Sequence, residues 1–132
     1  MTLRLLNGID LVRVGRFREL DAAIRARFYQ RVFTEEERAY IGDSFEKAAG
    51  IFAAKEAAVK ALGCGIGIVT WQDVRVRHDG EGKPALELVG EAQETARALG
   101  VLDFSLSISH TREFAAASAV ALADMEGSNP LS

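Results

Sequence analysis

The chain has 132 residues, of which 48% are hydrophobic and 27% are charged, and its formal net charge is −3. These values predict one compact domain over residues 1–132 and exclude a largely disordered protein. The apolar runs are too short to span a membrane and the N-terminus lacks a signal-peptide profile, so we expect a cytoplasmic protein with no membrane partner. A single cysteine, Cys64, excludes an internal disulfide and a multi-cysteine zinc site.

Positive charge is concentrated near the N-terminus. Residues 1–31 hold seven arginines and three acidic residues, so the rest of the chain is strongly acidic. An arginine-rich face favours an acidic partner, because a local field steers association even when net charge is negative. The charge pattern alone is also compatible with arginines that lie on a solvent-exposed helix surface and bind no partner. Nucleic acid is a poorer candidate, because the arginines are not interleaved with stacking aromatic residues.

The first third of the chain predicts a strand followed by helices. Residues 3–10 have the pattern of a short apolar strand, and residues 14–28 carry apolar side chains at helical spacings. Thr34 with Glu37 forms a capping-box signature, which opens a short helix ending near Gly42.

A long helix is predicted over residues 44–62. Asp43 with Glu46 is a second capping-box signature at its start, and Gly63 is placed to end it in the left-handed conformation. A loop with three glycines follows over residues 63–67, where a ligand could approach the backbone closely.

The second half of the chain predicts two antiparallel hairpins separated by a helix. The elements are a strand over residues 71–78, a turn over 79–84, a strand over 85–89, a helix over 91–99, a strand over 104–109, a turn over 110–113 and a strand over 114–123. We expect residues 125–132 to be a disordered tail. Mixed strands and helices with neighbouring antiparallel hairpins predict an α+β domain.

The long helix contains the most informative side chains. Its segment 52–63 surrounds Glu56 with alanine, valine and phenylalanine, so we expect this carboxylate to be half-buried. Burying a carboxylate is costly unless a positive group meets it. A metal ion would do so, and an ion pair with Lys60, four residues further on, is the simpler explanation.

Asp10 supplies a second carboxylate at the end of the predicted first strand. Alone it would more often be the N-cap of the next helix. Together, Asp10 and Glu56 can bind a hard cation such as Mg²⁺ that keeps open positions for water and phosphate oxygens. Lys55 and Lys60 lie within a turn of Glu56 and would add positive charge for a diphosphate.

The histidines give weaker signals. His78 lies beside an Asp-Gly turn, and we expect it to be exposed to solvent. His110 follows an alternating strand, where a histidine is more often a hydrogen-bonded turn residue than a catalyst.

Three motifs occur in a fixed order along the chain. They are Gly8-Ile9-Asp10 with Arg16, then Phe52-Ala53-Ala54-Lys55-Glu56-Ala57 continuing to Lys60-Ala61-Leu62-Gly63, then Ser107-Ile108-Ser109-His110-Thr111. They resemble the motifs of the holo-[acyl-carrier-protein] synthases, the small bacterial branch of the 4′-phosphopantetheinyl transferases. The second motif is highly specific, and the resemblance extends over roughly residues 5–122.

The resemblance implies a fold and a reaction. The fold would be that of the 4′-phosphopantetheinyl transferases, an antiparallel sheet packed against a long central helix, with three chains forming a homotrimer. The reaction would move 4′-phosphopantetheine from coenzyme A to a serine of apo acyl carrier protein for fatty acid biosynthesis, releasing 3′,5′-ADP. The active sites would lie at subunit boundaries.

The resemblance also assigns roles to residues. It implies that Asp10 and Glu56 bind Mg²⁺, that Lys60 approaches the diphosphate of coenzyme A, and that Gly63 ends its helix against this co-substrate. His110 would lie near the nucleotide end of the site, and Arg16 would face the carrier protein. We further expect Arg13 or Arg27 to assist Arg16.

One position departs from the pattern that the resemblance implies. The family often has arginine before Phe-Ala-Ala-Lys-Glu, and this chain has Ile51. Weaker affinity for coenzyme A, or replacement by a nearby arginine, would follow.

Two other functions compete with the transferase. A non-catalytic module that binds coenzyme A or a nucleotide would need the lysines and glycines but not two metal carboxylates. A magnesium-dependent phosphohydrolase would commonly need more acidic ligands around two metals. Within the transferase, the general base stays open between a water activated by the metal and Glu56 acting through a water.

Overall fold

The computed structural model describes residues 1–64 and 69–127. The elements run in the order β1 (Leu3–Arg13), α1 (Gly15–Arg18), α2 (Ala22–Val32), α3 (Glu35–Ile41), α4 (Phe45–Leu62), a 3-10 turn (Trp71–Asp73), β2 (Val74–His78), β3 (Pro84–Leu88), α5 (Gly90–Ala98), β4 (Val101–His110), β5 (Phe114–Asp124) and a 3-10 turn (Met125–Gly127). Most of the predicted glycine loop, residues 65–67, and the end of the predicted tail, 128–132, lie outside the described residues. No helix of the described part has the length and apolarity needed to cross a membrane.

The strands form two antiparallel sheets. One has three strands in the order β1-β5-β4, and the other is the hairpin of β2 with β3. Helix α4 packs across the three-stranded sheet and is buried along most of its length. This arrangement confirms the predicted α+β fold, with an antiparallel sheet packed against a long central helix.

Small residues allow α4 to lie very close to the sheet. The face of β5 that points to α4 consists of buried alanines at positions 115, 117, 119, 121 and 123. On β1, Gly8 is buried, and a Cβ atom added there would lie only 2.0 Å from the carbonyl oxygen of Ala57. The strand that carries Asp10 is therefore held directly against the helix that carries Glu56.

An aromatic cluster joins α4 to the N-terminal helices. The Phe52 ring centre lies 5.9 Å from that of Phe17, 5.5 Å from that of Phe28 and 5.2 Å from that of Trp71. Tilted and edge-to-face geometries at these distances are favourable for aromatic rings. The cluster fixes α1 and α2 beside the middle of α4.

The structure corrects two predictions about the first third of the chain. Strand β1 continues to Arg13, so Asp10 lies inside the strand, and the N-cap of α1 is Val14. The apolar segment 14–28 is divided into α1 and α2, because Asp21 caps a new helix. Its Oδ1 atom accepts hydrogen bonds from the backbone N–H groups of two residues in the first turn of α2.

Further boundaries differ from the prediction; for example, β4 begins at Val101 and not at residue 104. Ser44 rather than Asp43 caps α4, since its Oγ atom accepts from the backbone N–H of Lys47 at 3.1 Å. Residues 71–73 form a 3-10 turn before β2 begins. Residues 125–127, predicted as the start of a disordered tail, form a 3-10 turn, and the backbone N–H of Met125 donates to the Thr2 carbonyl at 2.8 Å. The predicted left-handed end of α4 at Gly63 is confirmed by its φ of 71°.

Candidate active site

The Asp10 and Lys60 side chains meet where β1 crosses the C-terminal half of α4. Lys60 Nζ donates to Asp10 Oδ1 at 2.9 Å and to the Ile9 carbonyl oxygen at 3.1 Å. The hydrogen bond to Asp10, and then the charge of that carboxylate, raise the pKa of Lys60. Lys60 therefore pairs with Asp10, and the simpler prediction of an ion pair between Lys60 and Glu56 is wrong.

Glu56 is half-buried beside Asp10, as predicted. Burial, followed by the hydrogen bond with Asp10 and the charge of Asp10, raises the pKa of Glu56 to about 7, while the charges of Arg16 and Lys60 act in the opposite direction. Two carboxylates close together in a partly desolvated place resist being ionised at once. A cation between them would remove that conflict.

The second oxygen of Asp10 has the environment expected of a metal ligand. Asp10 Oδ2 is buried, and when Glu56 is ionised no N–H or O–H group of residues 1–64 and 69–127 donates a hydrogen bond to it. An orphaned buried carboxylate oxygen is rare, because burying it without a partner is costly. Asp10 and Glu56 thus offer hard oxygen ligands to a cation such as Mg²⁺, which commonly takes its remaining ligands from water and phosphate.

Arg16 borders this site, whereas Arg13 and Arg27 have other surroundings. The Arg16 guanidinium carbon lies 5.0 Å from the centre of the Phe52 ring, and its charge reaches Glu56. Arg13 forms two hydrogen bonds with Glu19, at 3.1 and 2.7 Å, so its charge is already paired. Arg27 is exposed on α2.

Lys55 does not reach the site, which corrects its predicted role in binding the co-substrate. Its ammonium is fully buried and forms an ion pair with Glu37 at 2.7 Å. It also donates to the carbonyl oxygens of Trp71 and Val74, at 2.9 and 2.8 Å. Burial lowers the pKa of Lys55, and the charge of Glu37 opposes that shift. Lys55 joins α4 to the segment that leads into β2.

Sequence reasoning missed the second role of Glu37. Its Oε1 atom completes the predicted capping box by accepting from the backbone N–H of Thr34 at 2.8 Å. Its Oε2 atom accepts from the backbone N–H of Val76 at 2.7 Å. The capping-box pattern in the sequence predicted the contact with Thr34. No sequence pattern predicted the contacts with Lys55 and Val76, because both residues are distant from Glu37 along the chain.

His110 lies in a separate cavity of about 190 Å³ near the other end of α4. We call this cavity the α4 slot; its walls include Tyr40, Lys47, Ile51, His78, Pro84 and His110. Small-molecule pockets typically measure about 300–1,000 Å³, so the α4 slot suits a part of a cofactor-sized ligand. His110 Nδ1 lies 3.9 Å from Glu46 Oε2.

The structure corrects the expected exposure of His78. This side chain is half-buried, and its ring stacks on Tyr40 with the ring centres 3.9 Å apart. Nothing in the spacing of these two residues predicted the contact, because α3 and β2 meet only in the folded chain. Ile51 is buried in the same slot, with 1% of its surface exposed.

The chain is similar to proteins of one superfamily. A sequence model described as "4′-phosphopantetheinyl transferase superfamily" matches residues 7–119. A holo-[acyl-carrier-protein] synthase of Herpetosiphon aurantiacus is 40% identical over 125 residues, which cover 89% of this chain and 98% of that protein.

Two crystal structures have a similar fold. That of Helicobacter pylori holo-[acyl-carrier-protein] synthase in complex with coenzyme A gives a TM-score of 0.79 at 30% identity, covering 88% of this chain and 99% of that one. That of a holo-(acyl-carrier-protein) synthase from Bacillus anthracis, in complex with CoA (3′,5′-ADP), gives a TM-score of 0.74 at 34% identity, covering 93% and 100%.

Proposed function

Since the chain belongs to the 4′-phosphopantetheinyl transferase superfamily, we propose that it transfers 4′-phosphopantetheine from coenzyme A to a serine of apo acyl carrier protein. The products are the holo carrier protein and 3′,5′-ADP, and the pathway served is fatty acid biosynthesis in the cytoplasm. The observation that carries the proposal is the pair of carboxylates, Asp10 and Glu56, with Lys60 bonded to one of them. A module that only binds a nucleotide has no need of that pair.

Asp10 and Glu56 would hold Mg²⁺. The orphaned Oδ2 atom of Asp10 and the raised pKa of Glu56 both support a cation at this place. When bound, the metal supplies positive charge against the oxygens of the diphosphate as the leaving group departs. Loading it requires Glu56 in its ionised form, so the two carboxylates act together as a binding unit.

Lys60 is placed to meet the diphosphate. Its side chain is 55% exposed, and its pKa is raised, so it stays an ammonium throughout the physiological range. Two of its three protons are directed at Asp10 Oδ1 and the Ile9 carbonyl, which leaves one for a phosphate oxygen. Lys60 thereby orients the phosphorus that the carrier serine attacks.

We assign the nucleotide end of coenzyme A to the α4 slot, through His110. The slot includes Lys47 and Ile51 of α4, and Glu56 of the carboxylate pair lies further along the same helix. We place the complete site at a boundary between protomers, where the slot of one chain faces the carboxylates of a neighbour.

The outer face of the three-stranded sheet suits such an assembly. On β1, the outward side chains of Leu3, Leu5, Ile9 and Leu11 are 52–68% exposed. Exposed apolar side chains gathered on one face, here interrupted by Asn7, commonly mark an interface between proteins. On the same face, β4 exposes Ser105, Ser107 and Ser109. The two edge strands of the sheet therefore differ in polarity, since β1 is apolar there and β4 is polar. We assign this face to contacts between copies of the chain in a homotrimer.

The arginines around α1 would dock the carrier protein. Arg16 is exposed beside Glu56, so a carrier helix bound there would bring its serine close to the carboxylate pair. Acyl carrier proteins are typically acidic, which suits a positive face. Arg27 adds to this face from α2, whereas the pairing of Arg13 with Glu19 reduces the contribution of Arg13.

Intact-mass spectrometry tests the function. Apo acyl carrier protein is incubated with the chain, coenzyme A and Mg²⁺, and the carrier is expected to gain the mass of one phosphopantetheine. EDTA and the variant Glu56→Ala are both expected to abolish the gain. If several carriers show no mass change although coenzyme A binds, the chain is a binding module and the transferase proposal is wrong.

A further inference from the structure

The α4 slot contains a positive charge whose purpose the assignment of the nucleotide end does not explain. Lys47 Nζ lies 4.7 Å from the centre of the Tyr40 ring. The same Tyr40 ring also stacks on the ring of His78. A cation at this distance from an aromatic face is attracted by the ring, so Tyr40 restrains the lysine side chain. The slot thus presents a positioned ammonium at its edge.

The other basic groups of the slot cannot replace this ammonium. Burial, followed by the charge of Lys47, lowers the pKa of His78, so its ring is neutral at physiological pH. Any positive charge on His110 faces the carboxylate of Glu46, 3.9 Å away. Within the described residues, no carboxylate oxygen lies within 4.0 Å of Lys47 Nζ. Lys47 is therefore the cation in the slot that is available to a ligand.

The place of Lys47 on α4 relates it to the missing arginine. Residues four apart lie on the same face of a helix, and Ile51 is four residues after Lys47. A side chain from position 47 can therefore reach the part of the slot that an arginine at position 51 would occupy. Ile51, being buried and apolar, leaves that part without charge.

We propose that Lys47 binds the 3′-phosphate of coenzyme A and supplies the positive charge that Ile51 does not. This inference rests on the proposed function, which assigns the diphosphate to Asp10, Glu56 and Lys60. The 3′-phosphate is then the remaining charged group of the nucleotide end. As a monoester it carries close to two negative charges at pH 7, which makes it a strong partner for an ammonium.

Isothermal titration calorimetry tests the inference without requiring transfer. Titrating the chain with 3′,5′-ADP and with 5′-AMP, which is the same molecule without the 3′-phosphate, compares two ligands that differ in one group. Lys47→Met is expected to weaken binding of 3′,5′-ADP about tenfold, the loss of one charge-assisted contact, and to change binding of 5′-AMP less than about twofold. Lys47→Arg is expected to retain most of the affinity.

Arg97→Met is the matched control, because it removes the same charge from an exposed side chain on α5 that pairs with Glu94. It should leave both affinities unchanged. An equal loss of affinity for both ligands in Lys47→Met, or no loss for either, would overturn the role of Lys47. Lys47 is exposed, and circular dichroism of each variant checks that it is folded.

A kinetic arm separates this inference from the proposed function. With coenzyme A, Lys47→Met should raise KM about tenfold, and with 3′-dephospho-coenzyme A it should leave KM unchanged. If the wild-type chain transfers nothing, the proposed function fails, and the calorimetric comparison still decides whether Lys47 recognises the phosphate. If transfer occurs and the two KM values rise together, the function stands and the role of Lys47 is wrong.

Discussion

Neighbouring residues of α4 occupy opposite environments. Successive side chains on a helix point 100° apart, so Glu56 turns toward Asp10 and the site, whereas Lys55 turns into the core and meets Glu37. Both are charged residues within one highly specific motif. The motif therefore combines a chemical role and a structural role, and the two can be tested separately.

The raised pKa of Glu56 predicts a pH dependence of stability in the metal-free protein. The pKa is about 7 in the folded chain against an ordinary value of 4.5, so the folded state holds this proton more tightly than the unfolded state. The resulting contribution to stability is complete below pH 4.5 and is lost as the pH rises to about 7. Urea denaturation in EDTA across this range should give a free energy of unfolding that falls with pH.

The variant Glu56→Gln isolates the cause of that slope. Glutamine has no carboxyl proton to lose, so the decrease over this pH range should become smaller than in the wild type. A slope identical in the two proteins would show that Glu56 does not titrate as the structure indicates. Adding Mg²⁺ to the wild type at pH 7 should restore stability, because the cation offsets the repulsion between the carboxylates.

The ion pair of Lys55 with Glu37 should make a large contribution to stability. In Lys55→Met the carboxylate of Glu37 stays buried without its cation, and removing one partner of a buried pair typically costs about 3–5 kcal/mol. Thermal or chemical denaturation measures this loss. The double variant Lys55→Met/Glu37→Gln should recover part of it, since no uncompensated charge remains. Recovery of nothing would mean that Lys55 stabilises the fold through its other contacts, such as those with the Trp71 and Val74 carbonyls, and not through the pair with Glu37.

At the scale of secondary structure, the contact between β1 and α4 determines the site. Gly8→Ala would place a Cβ atom 2.0 Å from the Ala57 carbonyl oxygen and 2.8 Å from the Ala61 nitrogen, and neither backbone atom can rotate away. We expect a loss of about 1–3 kcal/mol in unfolding free energy, as in other overpacked cores. Transfer activity should fall with it, because separating the elements moves Asp10 from Glu56.

Gly80→Ala is the control for this prediction. Its Cβ atom would meet nothing within 4 Å, and its backbone needs no left-handed conformation. Stability and activity should both stay close to those of the wild type. If Gly8→Ala is equally harmless, the close approach of β1 to α4 is not required for the site.

The elements could be predicted where their signals are local. The capping box of Thr34 and Glu37 and the left-handed Gly63 depend on residues within a few positions, and both are confirmed. The division of residues 14–28 into two helices was missed, since apolar spacing continued through the cap at Asp21. The carboxylate pair followed from the motifs, but the partners of Lys55 did not, because they come from other parts of the fold.

At the scale of the whole molecule, charge should control recognition of the carrier. Arg16→Glu reverses a charge on the exposed face beside Phe52, and we expect the KM for the carrier protein to rise about tenfold or more while that for coenzyme A changes little. Steady-state kinetics at two salt concentrations measures both. The effect should shrink at high salt, because screening weakens contacts between exposed charges.

Arg97→Glu provides the same reversal on α5, away from the N-terminal arginines. It should leave the KM for the carrier unchanged. If both variants impair the carrier equally, overall charge rather than a docking face governs the interaction. If Arg16→Glu raises both KM values equally, Arg16 belongs to the coenzyme A site.

The apolar outer face predicts the oligomeric state. Leu5 is 66% exposed in the single chain, so Leu5→Asp should not disturb folding of the protomer but should oppose burial of this face between copies. Sedimentation velocity should change from about three chains per particle to one. Transfer activity should be lost with assembly, because the proposed site needs two protomers.

Ile24→Asp is the matched control, since Ile24 is also apolar and 48% exposed but lies on α2. This variant should sediment like the wild type. A wild-type chain that sediments as a monomer, or a Leu5→Asp variant that stays assembled, would contradict the assigned interface.

The pairing of β1 with β5 has a consequence for how the protein is made. Strand β1 is synthesised well before β5, yet the two strands are neighbours in the three-stranded sheet. Contacts between residues so far apart in sequence form slowly. We expect β1 to settle against α4 once β5 pairs with it along its whole length, so a nascent chain stalled before Phe114 should carry α4 but have no working metal site.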